Sequence, residues 1–389
     1  MIGVIDINCI SLYRFFLFHV NRENVMIRYI YLLGIVFALF SCTSERQSAE
    51  NAFVINYDED AEFDWDAILQ VEEVIPLETN DSCMLSYANN CVFGENRIVY
   101  NDSKQRALFV FDGKGKFLYQ IDALGVGDKE YSIIKDVIVS RDKRNILLLD
   151  NTSILVFDLE TGVYRNRIAL DKKLASSFYR FADGGNSRFY FWSVNPDNCL
   201  YVSDGGHLFA MKERRGFPFV CQKFYQDAAG KLNLISDCGQ YSIETLSGDS
   251  VLPKYSFDFG RWAFPADEKA ETVTEWEKID EQPYFKSLLS AFETEDVLYV
   301  STATPKKQLY CIAVQKSTSQ VFCGNQSMDT PVVVISSDGT SFYGILYPSL
   351  FMEDSRMARL IKGYDVTEED NPLLVKFKFD FGHFDTDIR

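Results

Sequence analysis

Arg97-Ile98-Val99-Tyr100, Leu108-Phe109-Val110-Phe111-Asp112-Gly113-Lys114-Gly115 and Phe117-Leu118-Tyr119-Gln120-Ile121 follow one another along the chain and decide the fold. Each is a short apolar and aromatic run, and Gly, Asp and Asn punctuate them. That is the signature of antiparallel strands joined by tight turns. A second copy runs Ile146-Leu147-Leu148-Leu149-Asp150, Ile154-Leu155-Val156-Phe157-Asp158, a turn closing on Gly162, then Val163 to Leu170.

The pattern extends outward into a repeat. Six turn signals each precede an apolar strand that starts at Ile98, Ile146, Phe189, Leu232, Val297 or Phe342. The starts lie 48, 43, 43, 65 and 45 residues apart, and the long gap holds a polar, helix-prone insertion at 261–283. Four strands per unit at this period is propeller spacing, so six units predict six blades. The last unit has strands near Val332–Ile335, Phe342–Leu346 and Leu373–Phe379, then lacks a fourth. Val71–Leu77 has no hairpin partner nearby and is expected to supply it. The fold class is therefore all-β, a six-bladed β-propeller of four-stranded antiparallel blades, closed by an N-terminal strand joining the last blade. Closure removes two sheet edges with unpaired backbone groups.

Composition agrees. The 389 residues are 47% hydrophobic and 15% aromatic, which suits strands packed on pleated surfaces. A formal charge of −17 argues against a nucleic-acid partner, because phosphate binding needs a basic surface.

The N-terminus carries an address. Met26-Ile27-Arg28 is a basic start, Tyr29–Phe40 an apolar run, and Leu39-Phe40-Ser41-Cys42 ends it. The run is too short to span a bilayer, which needs about 20 residues, and suits a signal-peptide core. Leu at −3 and Ser at −1 make Cys42 a candidate lipidation site, as in the bacterial lipobox. Expected segments are a leader at 1–41, with 1–25 read as a start placed too early and 26–41 as the lipoprotein signal peptide. A tether and N-terminal segment at 42–70 and the propeller at 71–389 follow, with insertions at 261–283 and 347–371. The expected location is the cell envelope, lipid-anchored, at the periplasmic face or outer-membrane surface of a Gram-negative bacterium.

Candidate chemistry is sparse. Only three His occur, and no G-x-S-x-G motif is present. The nine Cys show no C-x-x-C. Cys311 and Cys323 sit symmetrically about the turn Lys316–Ser319 and could face one another, while buried free thiols are expected for most. The acidic run Asp58–Asp66 reads as a solvated face; calcium is a conceivable cofactor, but the run lacks the spacing of a known loop. Trp192 and Tyr190 read as core of the strand Phe189–Trp192. In an antiparallel meander the short turns share one face of the disc. The longer connections at 122–132, 261–283, 305–307 and 347–371 share the other, where binding is expected.

The chain resembles the six-bladed β-propeller lipoproteins of Bacteroidetes, relatives of NHL-repeat and TolB-like propellers. Three features carry this: Ile75-Pro76-Leu77-Glu78-Thr79, the Val110–Phe117 hairpin, and Gly125-Val126-Gly127-Asp128-Lys129-Glu130-Tyr131. In the last, Asp128 and Lys129 stand where the family has Pro and Gly. The resemblance covers roughly residues 71–380 and implies the fold, with no settled activity. The expectation is a non-enzymatic module that binds a glycan, peptide or protein on the long-loop face, with Lys129, Tyr131, Trp262 and Trp276 as candidate contacts. The competing expectation is a divalent-metal-dependent hydrolase or lyase with carboxylates at the channel mouth.

Overall fold

A computed structural model describes residues 51–382, other than 87, 266–274, 276, 277, 279, 280, 328–331, 351–358, 360–362 and 365. Cys42, Trp276 and His383, the leader, and parts of the insertions at 261–283 and 347–371 therefore lie outside the described residues.

Six small sheets form six blades. Counting from the innermost strand outward, blade 1 holds β3 (Ala88–Phe93), β4 (Arg97–Asp102), β5 (Ala107–Asp112) and β6 (Phe117–Ile121). Blade 2 holds β7 (Asp136–Val139), β8 (Asn145–Leu149), β9 (Ser153–Asp158) and β10 (Tyr164–Ala169). Blade 3 holds β11 (Phe178–Gly185) to β14 (His207–Glu213), blade 4 β15 (Phe224–Gln226) to β18 (Ser250–Asp258), and blade 5 β19 (Leu288–Glu293) to β22 (Gln320–Asn325). In blade 6, β23 (Val333–Ser337), β24 (Phe342–Leu346) and β25 (Leu373–Phe379) are completed by β2 (Leu69–Pro76). β2 runs antiparallel to β25, with Leu69 opposite Phe379 and Pro76 opposite Leu373. The ring closes as expected.

The strands read as unbroken apolar runs because both faces of each blade are buried. On β4, Ile98 and Tyr100 face the wedge between blades 6 and 1, while Val99 faces the wedge between blades 1 and 2. On β5, Phe109 and Phe111 take the first wedge, and Leu108 and Val110 the second. Successive side chains point to opposite faces, so a strand with two dry faces needs no polar alternation. Six such wedges, one per blade junction, make up the core.

Residues 51–70, expected to lie outside the propeller, are part of it. β1 (Asn51–Val54) adds a fifth strand to blade 4, parallel to β18. The chain then crosses blade 5, where Phe63 N donates to Asn325 O at 2.8 Å and Asn325 N to Ala61 O at 2.8 Å. The two backbones run so close at Gly324 that a Cβ there would strike the Glu62–Phe63 peptide. A one-turn helix α1 (Trp65–Ile68), capped by Asp64, leads into β2. In the acidic run, Phe63 and Trp65 are buried while Glu62, Asp64 and Asp66 face solvent. Anchoring aromatics hidden by an acidic composition make this segment a strap over three blades.

Cys311 and Cys323 do not face each other. Cys311 pairs with Gly324 and Cys323 with Ile312, a one-residue offset. That offset puts the thiols on opposite faces of the sheet. Cys311 packs in the blade 5–6 wedge and Cys323 against the blade 4–5 wedge. All seven cysteines from Cys83 to Cys323 are free.

Candidate functional site

The blades converge on a central channel with a cavity of about 650 Å³, lined by all six innermost strands. Every innermost strand begins at the face carrying the long connections, so strand starts mark one mouth and strand ends the other. Bulges recur at the starts, between Ala88 and Asn90, Phe178 and Arg180, and Leu288 and Ser290. Such bulges re-aim side chains at sheet edges.

Among the charged side chains of the lining, five are basic and two acidic, against the charge of the whole chain. Lys135, Arg180 and Lys223 stand at the long-loop end with Asp136; Arg141 and Lys143 stand at the short-turn end with Asp183. Lys223 is fully buried and has a counter-ion, Asp237, at 3.3 Å. Asp237 also takes the Trp192 indole N–H at 2.7 Å and Arg214 at 2.7 Å. Lys135 and Arg180 are held differently, by backbone carbonyls. Arg180 Nε donates to Cys221 O at 3.0 Å, and Nη1 to Lys135 O and Tyr179 O, each at 2.9 Å. Lys135 Nζ donates to Ser176 O at 2.8 Å and lies 4.9 Å from the Tyr179 ring centre. Burial lowers the Lys135 pKa, with Asp150 pulling the other way. Asp136 is pushed up to about 6 by burial, against the opposing pull of Arg180 and of the Phe181 N–H, which it accepts at 3.0 Å. Among the described residues no three His, Cys, Asp or Glu side chains group as a metal site.

The predicted contacts are dispersed. Tyr131 is fully buried; its hydroxyl donates to Arg106 O at 2.7 Å, and burial pushes its pKa up to about 12. It props the loop at 122–132 and offers no ring to a ligand. Lys129 is exposed on that loop. The loop itself is built: Gly125 N donates to Tyr131 O, Gly127 N to the Glu130 carboxylate, and Arg167 reaches Asp128 O and Glu130 O. At its tip Val126 is 99% exposed. Trp262 lies three junctions away, half-buried, with Tyr57 edge-on at 5.3 Å and the Arg261 guanidinium 4.9 Å from its ring centre. It anchors the insertion to the strap. Trp192 and Tyr190 are buried, as read from the sequence.

A larger open groove of about 1330 Å³ runs between blades 2 and 3 on the short-turn side, and His207 lines it. The channel mouth is the better candidate because side chains from several blades meet there.

A family model for a domain of unknown function, DUF4934, matches residues 51–378. The chain belongs to the DUF4934 family. The match takes in the strap. This DUF4934 chain is similar to a candidate exported protein from Bacteroides fragilis NCTC 9343, with 17% identity and a TM-score of 0.69 over 85% of this chain and 99% of that one. It is also similar to a DUF4221 family member from Bacteroides vulgatus ATCC 8482, with 10% identity and a TM-score of 0.53 over 80% and 98%. At these identities the likeness shows the fold alone. No curated protein matches the DUF4934 chain.

Proposed function

We propose that this protein is a cell-envelope binding module that engages a protein or peptide partner through its long-loop face. One observation carries the reading. Among the described residues twelve large hydrophobic side chains are exposed, and seven of them (Met84, Leu124, Val126, Ile133, Val220, Val333 and Tyr364) belong to long-loop-face connections or the strand end beside them. The short-turn connections carry only Val163 of the twelve, and the other four (Val54, Leu118, Phe209 and Leu252) lie on outer strands. Apolar side chains gathered on one face mark an interaction surface, whereas single scattered ones do not. A built loop that holds Val126 in water fits a docking role.

Export and lipid anchoring at Cys42 form part of the proposal, supported by the basic start, the short apolar run and the lipobox-like Leu39–Cys42. Metabolic labelling with a fatty acid checks it: the label and membrane association are expected to be lost in Cys42→Ala. For the face, a photo-crosslinking residue at Val126 is expected to give a discrete adduct in intact cells, abolished by Leu124→Asp with Ile133→Asp. The same probe at Val163 is expected to give none. Equal labelling from both faces would remove the basis of the reading.

A further inference from the structure

We infer that the long-loop mouth of the channel is a binding site for a carboxylate, with Arg180 and Lys135 as its recognition groups. The inference deepens the reading above and rests on it for the choice of face alone.

The argument is a donor inventory. A guanidinium has five N–H donors and is always charged. The three carbonyl bonds of Arg180 occupy Nε and both Nη1 hydrogens, which fixes the group, and among the described residues no hydrogen bond engages Nη2 of this channel-lining side chain. Those three acceptors come from blades 2, 3 and 4, so Arg180 is positioned by three independent backbones. Lys135 is likewise bound to carbonyls, at Ser176 and Ala175. Among the described residues neither forms an ion pair with a carboxylate within 4 Å, whereas Lys223 at the same level has Asp237. Two cations on which Asp150 and Asp136 act only from beyond ion-pair distance, held at the mouth of a cavity, complement an oxyanion, because charge-assisted hydrogen bonds are the stronger kind. Asp136 feels Arg180 electrostatically, but its hydrogen bond goes to the Phe181 N–H and it makes no ion pair with Arg180 within 4 Å. The cavity volume lies in the range of small-molecule sites. A planar carboxylate suits the Nη2 edge, and the apolar loops around the mouth suit the molecule that carries it.

The carboxylate could belong to a peptide side chain or to a free small acid, and calorimetry on the full chain separates them. The probes are acetyl-Ala-Glu-Ala-amide against its Gln counterpart, and galacturonate against galactose. At least one charged probe is expected to bind while its neutral partner does not, and the pair that discriminates names the source. Affinity is expected to fall about tenfold in Lys135→Gln and to weaken with salt. Arg180→Lys keeps the charge but loses the fork, and is expected to bind more weakly than wild type with unchanged circular dichroism. Lys143→Gln at the opposite end is expected to have no effect. Equal binding of charged and neutral probes, no binding by either charged probe, or loss in Lys143→Gln with none in Lys135→Gln would each overturn the inference. Carboxylate binding without the Val126 adduct would keep this site and sink the partner reading; the adduct without carboxylate binding would do the reverse.

Discussion

Asp136 illustrates how a single residue couples the channel to stability. Its pKa is raised from 3.8 to about 6 on folding, so the folded state holds the proton more tightly than the unfolded chain. The contribution is present in full below pH 4 and is lost as pH rises through 6, amounting to about 3 kcal/mol at most. Asp136→Asn is expected to flatten that part of the stability-pH profile, read by urea denaturation between pH 4 and 8. Asp237 has the opposite character: it neutralises buried Arg214 and Lys223 and accepts the Trp192 N–H. Removing one partner of a buried pair leaves an uncompensated charge. Asp237→Ala is therefore expected to cost about 3–5 kcal/mol in the same measurement. Gly115 is a third case. Its φ is +85°, and a Cβ there would collide with Pro76 O at the seam where blade 6 meets blade 1. Gly115→Ala is expected to lower the melting temperature more than Gly205→Ala, which has open space around it.

Among the elements, the strap shows where sequence reading stops. Strand pairing was legible because the β2 segment has no hairpin partner nearby and the last unit, ending at β25, lacks a fourth strand. The strap was not: its buried residues, Phe53, Ile55, Phe63 and Trp65, are few and scattered among acids, so periodicity is hidden. Trp65 stacks on Phe379 at 5.8 Å and donates its indole N–H to Gln326 Oε1 at 3.2 Å, joining blades 5 and 6. Trp65→Ala is expected to cost about 3–5 kcal/mol. The candidate site was half legible. The topology gives the face, but Lys135 and Arg180 are each a single cation at the start of an innermost strand, with no local motif to mark them. A signal existed: Lys135, Arg180 and Lys223 recur at spacings of 45 and 43 residues, matching the blade repeat. Only the structure distinguishes the one in an ion pair from the two held by carbonyls. Tyr131 misled for the converse reason, since a family-like loop motif does not say which of its side chains turns inward.

At the scale of the whole molecule, the ring is a chain of six wedges in which each blade supports two neighbours. Removal of residues 51–76 would take one strand from blade 6 and the clasp from blades 4 and 5, leaving β25 as an open edge. Such a truncation is expected to associate through that edge, seen as a concentration-dependent shift on size-exclusion chromatography. The intact chain is expected to remain a single species across the same concentrations.

The clasp between β2 and β25 joins segments that a ribosome makes almost three hundred residues apart. Blade 6 therefore stays incomplete until β25 has emerged, and its first-made strand must wait without its partner. Local hairpins within blades 1 to 5 can form as they appear, but the last docking step depends on distant ends meeting, which slows such topologies. Any early stop in translation would release a molecule whose finished blades expose the very rim that completion is built to hide.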